Sequence, residues 1–512
     1  MRMTNKIMEN NSLYNINNNK IQQDKLSTQM ATGKKLTRPS DDPIIAIRAL
    51  RLRTSVSELT QYYEKNIPDA NAWLKVTEGA LDTTVKVLED LYKEAEKAAN
   101  KDLTYEDLRI HLEQMKLLRD EFYSTGNVDY AGRYVFTGYR TDTSLTFPKE
   151  VEEMNPQPSY DITEKISFRD IDTVNHTDMS DVANLNKNNY KNYNTDETKI
   201  TNGDVQRIRL AYDNLNADKM PATITYTDKN GAEKTIDVTK AMSVADDPYQ
   251  EAIDNPDMVI FVPETGEILL GANKYAEMQA NATDDTVISV DYTKDSWKEG
   301  DLRPQHYFAC TGTFVEDGVP KTIEYNREEG EEVDSQIIEY DVGYNQRIRV
   351  NTMAGEAFSH ALNRDIEDLE AALDELEKIN ASREDLDNIL AGMSEDDNDY
   401  AATLKLKDAV DKAYDYVREK VHKMFGNTMT KMQNHQDLVN KAVTDCGTRS
   451  KRVSLVENRL MDQKTTFETL QSENEDIDIA EVIVKLTSVE LIYNAALMAT
   501  GKIMQNTLMN YI

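Results

Sequence analysis

The side chains that could do chemistry in this chain are few, and the first group is centred on His360. His360 is followed by Asp365 and Glu367 within one predicted helix. An imidazole and two carboxylates are ligands that zinc accepts, so this group raises the question of a metal site. None of the six histidines has the spacing of a ligand pair. We therefore expect a solvated helix face here, with no metal and no cofactor.

Nothing else in the 512 residues suggests catalysis. The sequence contains no His-Glu-x-x-His, no P-loop and no Gly-x-Ser-x-Gly motif. Cys310 lies in a β-rich region and Cys446 at a predicted helix core position, so we expect no disulfide and no zinc site. We predict that the protein is not an enzyme and has no catalytic, cofactor-binding or metal-binding residues.

Aromatic residues of the middle region open one further possibility. Trp297, Tyr292 and Tyr307 could stack on sugars, which would make this region a carbohydrate-binding module. Isolated aromatics in a β domain are usually core residues, and we favour that interpretation. A second aromatic group follows the N-terminal helices, and we expect it to pack between the helical and β-rich parts: Tyr134, Phe136 and Tyr139.

Two amphipathic segments at the ends of the chain dominate its organisation. Near the N-terminus the apolar repeat has a period of seven: Ile7, Tyr14, Ile21 and Thr28. Near the C-terminus a repeat of the same period has a flanking seam: Val482, Val489, Ala496 and Ile503, with Leu486 and Tyr493. Such repeats predict coiled-coil helices, each of about 30 residues or ~45 Å. Neither can bury its stripe alone, so each must contact the other or a neighbouring copy. We interpret both as assembly helices.

Further helices are predicted between the two ends. Gly33 is a C-cap candidate, and a run of N-cap residues before Pro43 starts the next helix. Pro68 is expected to start another helix, and Gly447 to be required by close packing or a bend. Two apolar stripes are expected to form the core of an intramolecular bundle: Ile45, Leu52, Val56 and Leu59, and Met432, Val439, Cys446, Val453, Leu460 and Phe467.

Residues 146–345 alternate in the manner of β-strands. The segment 223–238 predicts a hairpin with Asn230 and Gly231 at its turn. The predicted fold class is α+β, an elongated multi-domain protein whose terminal segments form a long helical bundle or coiled coil around an inserted β-rich domain. The predicted divisions are three: 1–33 with 478–512 as terminal coiled-coil helices, 34–145 with 346–477 as helical bundle, and 146–345 as a β-rich surface domain that could hold two subdomains.

Composition excludes some partners. Acidic residues number 92 against 59 basic ones, a formal net charge of −33, so binding to nucleic acid is not expected. The start of the sequence lacks the apolar region of a signal peptide. We also expect no stretch of about 18 apolar residues and hence no membrane contact. The charge keeps copies apart until a specific contact forms.

These elements, in this order, resemble the flagellin superfamily, and within it the hook–filament junction proteins. At the N-terminal end the resemblance covers roughly residues 1–147, and its motifs are Leu26–Lys35, the run Arg38, Pro39, Ser40, Asp41, Asp42 and Pro43, and the run Gly132, Arg133, Tyr134, Val135, Phe136, Thr137, Gly138 and Tyr139. At the other end it covers roughly 425–512, including Gly447–Arg449, Val456–Leu460 and Leu508–Ile512. The Ser-Asp-Asp-Pro sequence and the Gly-Arg-Tyr motif favour the junction branch over filament flagellins.

The resemblance implies a non-enzymatic adaptor ring between hook and filament. Terminal helices would pair and line an inner tube, and the β insertion would project outward. Implied partners are further copies of the chain, a neighbouring hook-associated protein, flagellin, and a cytosolic export chaperone at the C-terminal helix. Export would use the flagellar type III apparatus without a cleaved signal peptide. A filament flagellin is the alternative, and adhesive or glycan-binding display by the β domain is a weaker one.

The composition of the first helix adds one hypothesis. Weak helix formers are frequent in it: Asn10, Asn11, Asn15, Asn17, Asn18 and Asn19. An isolated helix of this composition is marginal in water. We therefore expect both ends to fold only on assembly.

Overall fold

The computed structural model describes residues 5–36, 38–40, 42–178, 185–193, 201–316, 318–328 and 332–505. The predictions for Asp41 and for Leu508–Ile512 lie outside these residues. The structure confirms the α+β class, with long helices towards both ends and strands in the middle. The described helices are α1 (Asn5–Thr32), α2 (Pro43–Gln61), α3 (Ile67–Ala98), α4 (Tyr105–Ser124), α5 (Glu150–Glu153), α6 (Pro248–Asp254), α7 (Ala272–Asn281), α8 (Ala361–Ala391), α9 (Tyr400–Glu475) and α10 (Ile479–Gln505).

The described strands are mostly short. They are β1 (Asp129–Tyr130), β2 (Arg133–Tyr134), β3 (Ser159–Ser167), β4 (Asp172–Asp178), β5 (Thr201–Arg209), β6 (Thr223–Thr227), β7 (Glu233–Asp237), β8 (Lys240–Ala241), β9 (Val259–Val262), β10 (Glu267–Leu270), β11 (Val287–Lys294), β12 (Ala309–Glu316), β13 (Val319–Tyr325), β14 (Glu339–Gly343) and β15 (Gln346–Arg349).

The chain divides into two compact units. The first consists of residues 1–71, 340–348 and 451–512, and the second of residues 72–339 and 349–450. The predicted boundaries at 33 and 478 both fall inside the first unit. The threefold division made from the sequence therefore stays a prediction.

In the first unit α1 and α10 pack against each other. They run antiparallel, because Lys34 bridges to Asp476 while Gln23, further towards the N-terminus, reaches Glu490. Helix α2 starts as the sequence predicts. Asp42 accepts hydrogen bonds from the backbone N–H groups of Ile44 (3.0 Å) and Ile45 (3.2 Å), and Pro43 is the first helical residue.

The chain around Pro68 differs from the sequence expectation. Helix α3 begins one residue earlier and is continuous with α2 through a π-helical turn, Tyr62–Asn66. In that turn the N–H of Ile67 bonds to the carbonyl of Tyr62. Proline has no N–H to offer the helix, and the wider turn before it lets the chain continue without a break.

The helices of the second unit are joined by apolar contacts and ion pairs. Helix α4 packs against α8. Across this contact Arg109 pairs with Asp374 (2.6 Å) and Lys116 with Glu370 (2.5 Å). The α4 side chains that turn inwards recur at helical spacing and are fully buried: Leu108, Leu112, Met115 and Phe122.

The middle of the second unit is a β-sandwich. One sheet has the order β4-β5-β10-β9-β8 and the other β13-β12-β3-β11-β6-β7. Side chains from both sheets share one apolar core, for example Ile208, Phe261 and Ile268 from the first and Ile162 and Val290 from the second. The opposite face of the five-stranded sheet is covered by α6.

The hairpin predicted for residues 223–238 is present in the sandwich, together with a second one. Strands β6 and β7 pair antiparallel around a turn that contains Asn230 and Gly231, and β9 and β10 pair around 263–266. At Gly266 the backbone has φ +62°, and a Cβ there would collide with the carbonyl of Tyr212. Only glycine fits this turn.

Candidate assembly interface of the terminal helices

The inner face of α10 carries the apolar repeat. Val482 is buried, and the side chains that follow it at intervals of three and four are half-buried: Leu486, Val489, Tyr493 and Ala496. Thr500 continues this face and is also buried. The backbone of Ile503 belongs to α10, but its side chain is not among those described. The stripe of α10 therefore lies on the face that packs against α1.

The apolar stripe predicted for α1 lies on the other side of that helix. Ile7, Tyr14 and Ile21 are exposed, Tyr14 by 68%. The half-buried residues of α1 instead include Ile16, Gln23 and Leu26. Of the two partners that the sequence left open for the Ile7 stripe, the C-terminal helix of the same chain does not cover Ile7, Tyr14 or Ile21, whereas Thr28 at the end of the repeat is half-buried. The seven-residue period was real, but more than one face of this helix carries apolar residues, and packing selected a different one.

Helix α1 is covered incompletely by the rest of the chain. Among its side chains described, residues 6–32, not one is fully buried. Gln23 contributes a weak polar contact to the helix pair by donating to the Glu490 carboxylate at 3.4 Å. The pair α1–α10 thus leaves the Ile7 stripe free for a further contact.

The outer surface of α10 is also apolar. Its exposed side chains include Ile483, Val484, Leu491, Ile492, Leu497 and Met498, with Leu491 exposed by 73%. The segment Ile479–Lys502 is long and apolar enough to cross a membrane, and little of it is buried. The expectation that no stretch has this composition was therefore wrong. Length and composition do not by themselves make a membrane helix. One face of this helix packs against α1.

A polar cluster lies where α1 ends and α10 begins. The guanidinium of Arg53 on α2 makes two hydrogen bonds to the buried carboxylate of Glu475 at the end of α9 (2.7 and 2.6 Å). Lys34, just after α1, contacts Asp476 at 2.5 Å and Glu475 at 3.7 Å. The N–H of Lys35 donates to the Glu475 carbonyl (2.6 Å). The sequence alone carried no signal for these long-range pairs.

Nearby positive charges and hydrogen bonds lower the pKa values of the two carboxylates in this cluster. The hydrogen bonds and charge of Arg53, with the charge of Lys34, hold the pKa of Glu475 below its usual value. The hydrogen bond from Lys34 does the same for Asp476. Both carboxylates are thus charged at neutral pH, and they fix the turn between α9 and α10 to the middle of α2 and to the end of α1.

The motif from Arg38 to Pro43 borders a small cleft beside the cluster. Its volume is about 140 Å³, and its walls include Leu36, Arg38, Pro39 and Leu50. Asp42 and Pro43 of the same motif form the start of α2. The motif therefore combines a helix start with a concave surface next to Glu475.

The bundle stripes are buried to different extents. The long stripe of α9 is buried over most of its length: Met432, Val439, Cys446, Val453 and Leu460. Phe467 is only half-buried, as are the α2 residues Ile45, Leu52, Val56 and Leu59. Of the residues of α2, all of them described, Ala49 alone is buried. The assembly and bundle roles given to these residues stay predictions.

The motif from Gly132 to Tyr139 forms turns more than strand. Its only strand residues, Arg133 and Tyr134, pair with β1. Gly132 and Gly138 have φ values of +77° and +62°, which favour glycine. The glycines thus bend the chain through this motif.

The side chains of this motif are held by aromatic contacts. The Arg133 guanidinium lies 5.1 Å from the ring of Trp73. Phe136 is buried against Phe358 in an edge-to-face contact at 5.0 Å. Tyr134 is half-buried and Tyr139 is exposed.

His360 and its acidic neighbours are not on a solvated face, which corrects the sequence interpretation. The His360 ring lies edge-on to Tyr307 (4.4 Å) and Tyr212 (4.8 Å), and burial lowers its pKa to about 3. Asp365 is buried and bound to cations, whereas Glu367 accepts from Asn363 at 2.6 Å. Within the described part of the chain, no three His, Cys, Asp or Glu side chains lie together in a way that could hold a metal.

The aromatics considered as a sugar platform are mostly interior. Trp297 and Tyr292 are buried, and the Trp297 indole N–H donates to the Pro158 carbonyl (2.7 Å). Tyr307 is half-buried. Trp297 and Tyr292 are therefore core residues, as the sequence favoured, and offer no exposed ring face to a sugar. The two thiols are also buried, which raises the pKa of Cys310 to about 12 and that of Cys446 to about 11.

Known proteins resemble this chain mainly at its N-terminal end. Residues 3–141 match the bacterial flagellin N-terminal helical region, so this part of the chain is flagellin-like. Two curated relatives are both named Flagellar hook-associated protein 3. The one from Salmonella typhimurium is 29% identical over 145 residues, and the one from Escherichia coli is 30% identical over 147. Each match covers 28% of this chain and 45% of the relative. The chain thus spans less than half the length of these relatives.

Two solved structures of flagellar hook-associated proteins align with most of this chain. A flagellar hook-associated protein from Vibrio parahaemolyticus covers 85% of this chain and all of its own, with 12% identity and a TM-score of 0.34. Flagellar hook associated protein-3 from Legionella pneumophila covers 82% of this chain and 97% of its own, with 10% identity and a TM-score of 0.31. Both TM-scores lie below the value at which two folds count as the same.

Proposed function

We propose that this protein is a non-catalytic structural component of the bacterial flagellum, an adaptor at the hook–filament junction. The observation that carries the proposal is the pair α1–α10, whose exposed apolar residues are uncovered in the single chain. Surfaces of this kind mark sites of protein–protein contact. The flagellin-like N-terminal region and the relatives named hook-associated protein 3 support the flagellar context.

The proposed contacts follow from the two faces of the helix pair. The inner α10 residues Val482, Leu486, Val489 and Tyr493 stabilise the pair within one chain. The outer residues of α10 and the Ile7 stripe of α1 bind neighbouring subunits. Burying one such apolar side chain contributes about 1.5–3 kcal/mol, so a row of them supports a stable assembly.

The proposed partners are further copies in a ring, with another hook-associated protein and flagellin as axial neighbours. Before assembly the exposed residues of α10 must be shielded from water. A cytosolic chaperone bound to this helix meets that need, and export proceeds through the flagellar type III apparatus without a cleaved signal peptide. The sandwich within residues 146–345 is the outward-facing insertion in this proposal.

A filament flagellin is the second candidate. The match of residues 3–141 to the flagellin N-terminal region favours it as much as it favours a junction protein. The two roles differ in position and copy number. A junction protein forms a single narrow ring, whereas a flagellin is distributed along the whole filament.

Immunogold labelling of intact flagella from the source organism separates the two. The antibody is raised against the sandwich, and an antibody against the filament flagellin is the control. Label in one narrow zone between hook and filament is the expected result. Label along the filament would establish the flagellin role instead, and absence of label from flagella would overturn both.

A further inference from the structure

The surface around Leu455 on α9 is apolar and basic. Leu455 is exposed by 72%. The cations within about one turn of it, on the same side of the helix, are all exposed: Lys451, Arg452 and Arg459. Of the two acids between residues 451 and 462, Asp462 shares this side, whereas Glu457 turns inwards and accepts from the Asn71 amide (3.2 Å). In a chain with a formal charge of −33, a surface with a positive balance is unusual.

The turn of the β14–β15 hairpin extends this surface with an aromatic ring. Tyr344 lies in the turn and is exposed by 92%. The Arg459 guanidinium of α9 reaches the hairpin, where it donates a hydrogen bond to the side-chain oxygen of Gln346. The hairpin adds no net charge, because Arg347 pairs with Asp341 at 2.9 Å. Tyr344, the exposed leucine and the three cations of α9 together form the basic patch.

Helix α4 has an exposed face of the opposite charge. Ile110 and Leu117, seven residues apart, are exposed by 60% and 62%. The acids of α4 are all exposed, and those closest to the line through these two residues are Glu106, Glu113 and Glu121. The three cations of the helix are half-buried, and each bonds to a residue of α8: Arg109, Lys116 and Arg119. Glu113 is partly neutralised by Lys116 (3.1 Å), whereas Glu106 and Glu121 have no ion-pair partner among the residues that the structure describes. We call this surface the acidic face.

We propose that the basic patch binds the acidic face of α4 on a second copy of the chain. The proposal rests on the self-assembly in the proposed function, and it names two surfaces that carry it. Each surface offers two exposed apolar side chains, Leu455 and Tyr344 beside cations, and Ile110 and Leu117 beside anions. Opposite charge and matched apolar character are what a specific contact requires. Because every copy carries both surfaces, and both are exposed in the single chain, a second copy supplies the complement of each.

The charges also determine how the copies are arranged. Two basic patches repel each other, and so do two acidic faces, so pairing of like surfaces is disfavoured. Contact between two different surfaces is head-to-tail, and it closes into a ring or continues as a helix, depending on the rotation between copies. Local attraction matters here because two copies with a formal charge of −33 repel each other at a distance.

Cross-linking of the full-length chain tests the contact. One variant carries Asn458→Cys beside the basic patch, and a differently tagged variant carries Gln114→Cys on the acidic face; both positions are exposed. Cys310 and Cys446 are buried, so they are poorly reactive. After treatment of the mixture with a short bismaleimide we expect the mixed dimer, with little product from either variant alone. Equal cross-linking of like variants, or no mixed product over a series of protein concentrations, would overturn the proposal.

Charge reversal supplies an independent readout. The change Lys451→Glu with Arg452→Glu in the first variant should reduce the mixed cross-link about tenfold, because repulsion replaces attraction. The change Glu106→Lys with Glu121→Lys in the second variant should then restore it. Failure of restoration would contradict the pairing of these two surfaces.

A matched control separates this contact from general repulsion between acidic chains. Lys405→Glu with Lys412→Glu makes the same change in net charge at two exposed lysines near the start of α9. In the first variant this control should leave the mixed cross-link nearly unchanged. A loss as large as that from Lys451→Glu with Arg452→Glu would overturn the assignment of the basic patch.

The outcome is independent of the labelling experiment. A mixed cross-link without label at the junction would keep this contact and remove the junction role. Label at the junction without a mixed cross-link would keep the role and show that the copies meet through other surfaces.

Discussion

Gly447 shows how one residue can be misjudged from its sequence context. A glycine inside a helix suggests close packing or a bend, but α9 continues through it as helix. A Cβ at Gly447 would meet no heavy atom within 4 Å. The expectation of close packing within the chain was therefore wrong.

We predict that Gly447→Ala stabilises the protein by about 1 kcal/mol, because alanine restricts the unfolded chain and favours the helix. Urea unfolding followed by circular dichroism measures the change. Gly266→Ala is the matched control and should be strongly destabilising, because its Cβ has no room and its φ is positive. If Gly447→Ala destabilised the protein, the added methyl group would have to meet other atoms, and the space beside Gly447 would not be open in solution.

The surroundings of Asp365 could not be predicted from the sequence. Its carboxylate contacts Arg209 (2.8 Å), Lys431 (2.7 Å) and His435 (3.2 Å), which come from β5 and α9. Burial alone would raise its pKa, but the His435 hydrogen bond and the two cations outweigh burial and hold the pKa well below the usual value. The ion network therefore ties a strand of the sandwich to two helices.

We predict that Asp365→Asn destabilises the protein by about 3 kcal/mol, because a buried carboxylate shared by Arg209, Lys431 and His435 loses its charge. Asp374→Asn, which breaks the more exposed pair with Arg109, should cost at most about 1 kcal/mol. Since folding lowers the pKa of Asp365, its contribution is complete above the ordinary value of 3.8 and is lost as the pH falls below it. Acid unfolding of the variant should therefore be less steep than that of the wild type. A parallel loss with pH in both would contradict this assignment.

At the scale of elements, the two terminal helices differ in how well their patterns predicted packing. The α10 repeat lies on the face towards α1, whereas the α1 repeat lies away from α10. A repeat identifies a stripe on a helix. It does not say which of several partners covers that stripe, and in α1 the asparagines leave no face strongly apolar.

We predict that Val482→Asp separates α1 from α10 in the single chain, because it places a charge in the buried part of their contact. Leu491→Asp lies on the exposed outer face and should leave this pair intact while blocking incorporation into flagella. Amide exchange of α1 in the purified chain reads out the pair, and complementation of a deletion strain reads out incorporation. Equal effects of the two changes on exchange would argue against separate inner and outer roles.

At the scale of the whole molecule, the two units differ in how completely they are covered. The sandwich and the helices of the second unit have a fully buried core, whereas most described side chains of α1 and α2 in the first unit are exposed. A part of a protein with few buried contacts opens with a low free energy. Assembly would supply the missing cover.

We therefore predict fast amide exchange of α1 in the monomer and strong protection after assembly. The amides of α3, whose Trp73, Leu74 and Leu81 are fully buried, should be protected in both states and are the internal control. The comparison is made by mass spectrometry on purified chain and on isolated flagella. Strong protection of α1 in the monomer would show that it is stable without neighbours.

The sequence by itself determined the fold class, the helical ends, the start of α2 at Asp42 and Pro43, and the hairpin of residues 223–238. These depend on local rules of periodicity, capping and turn chemistry, which act over a few residues. Only the tertiary structure decided which face of α1 is covered, that Asp365 is buried and His360 packs between aromatic rings, and that Arg53 binds Glu475. Each of these joins residues that are far apart in the chain, and the local pattern is the same whether such partners are present or absent.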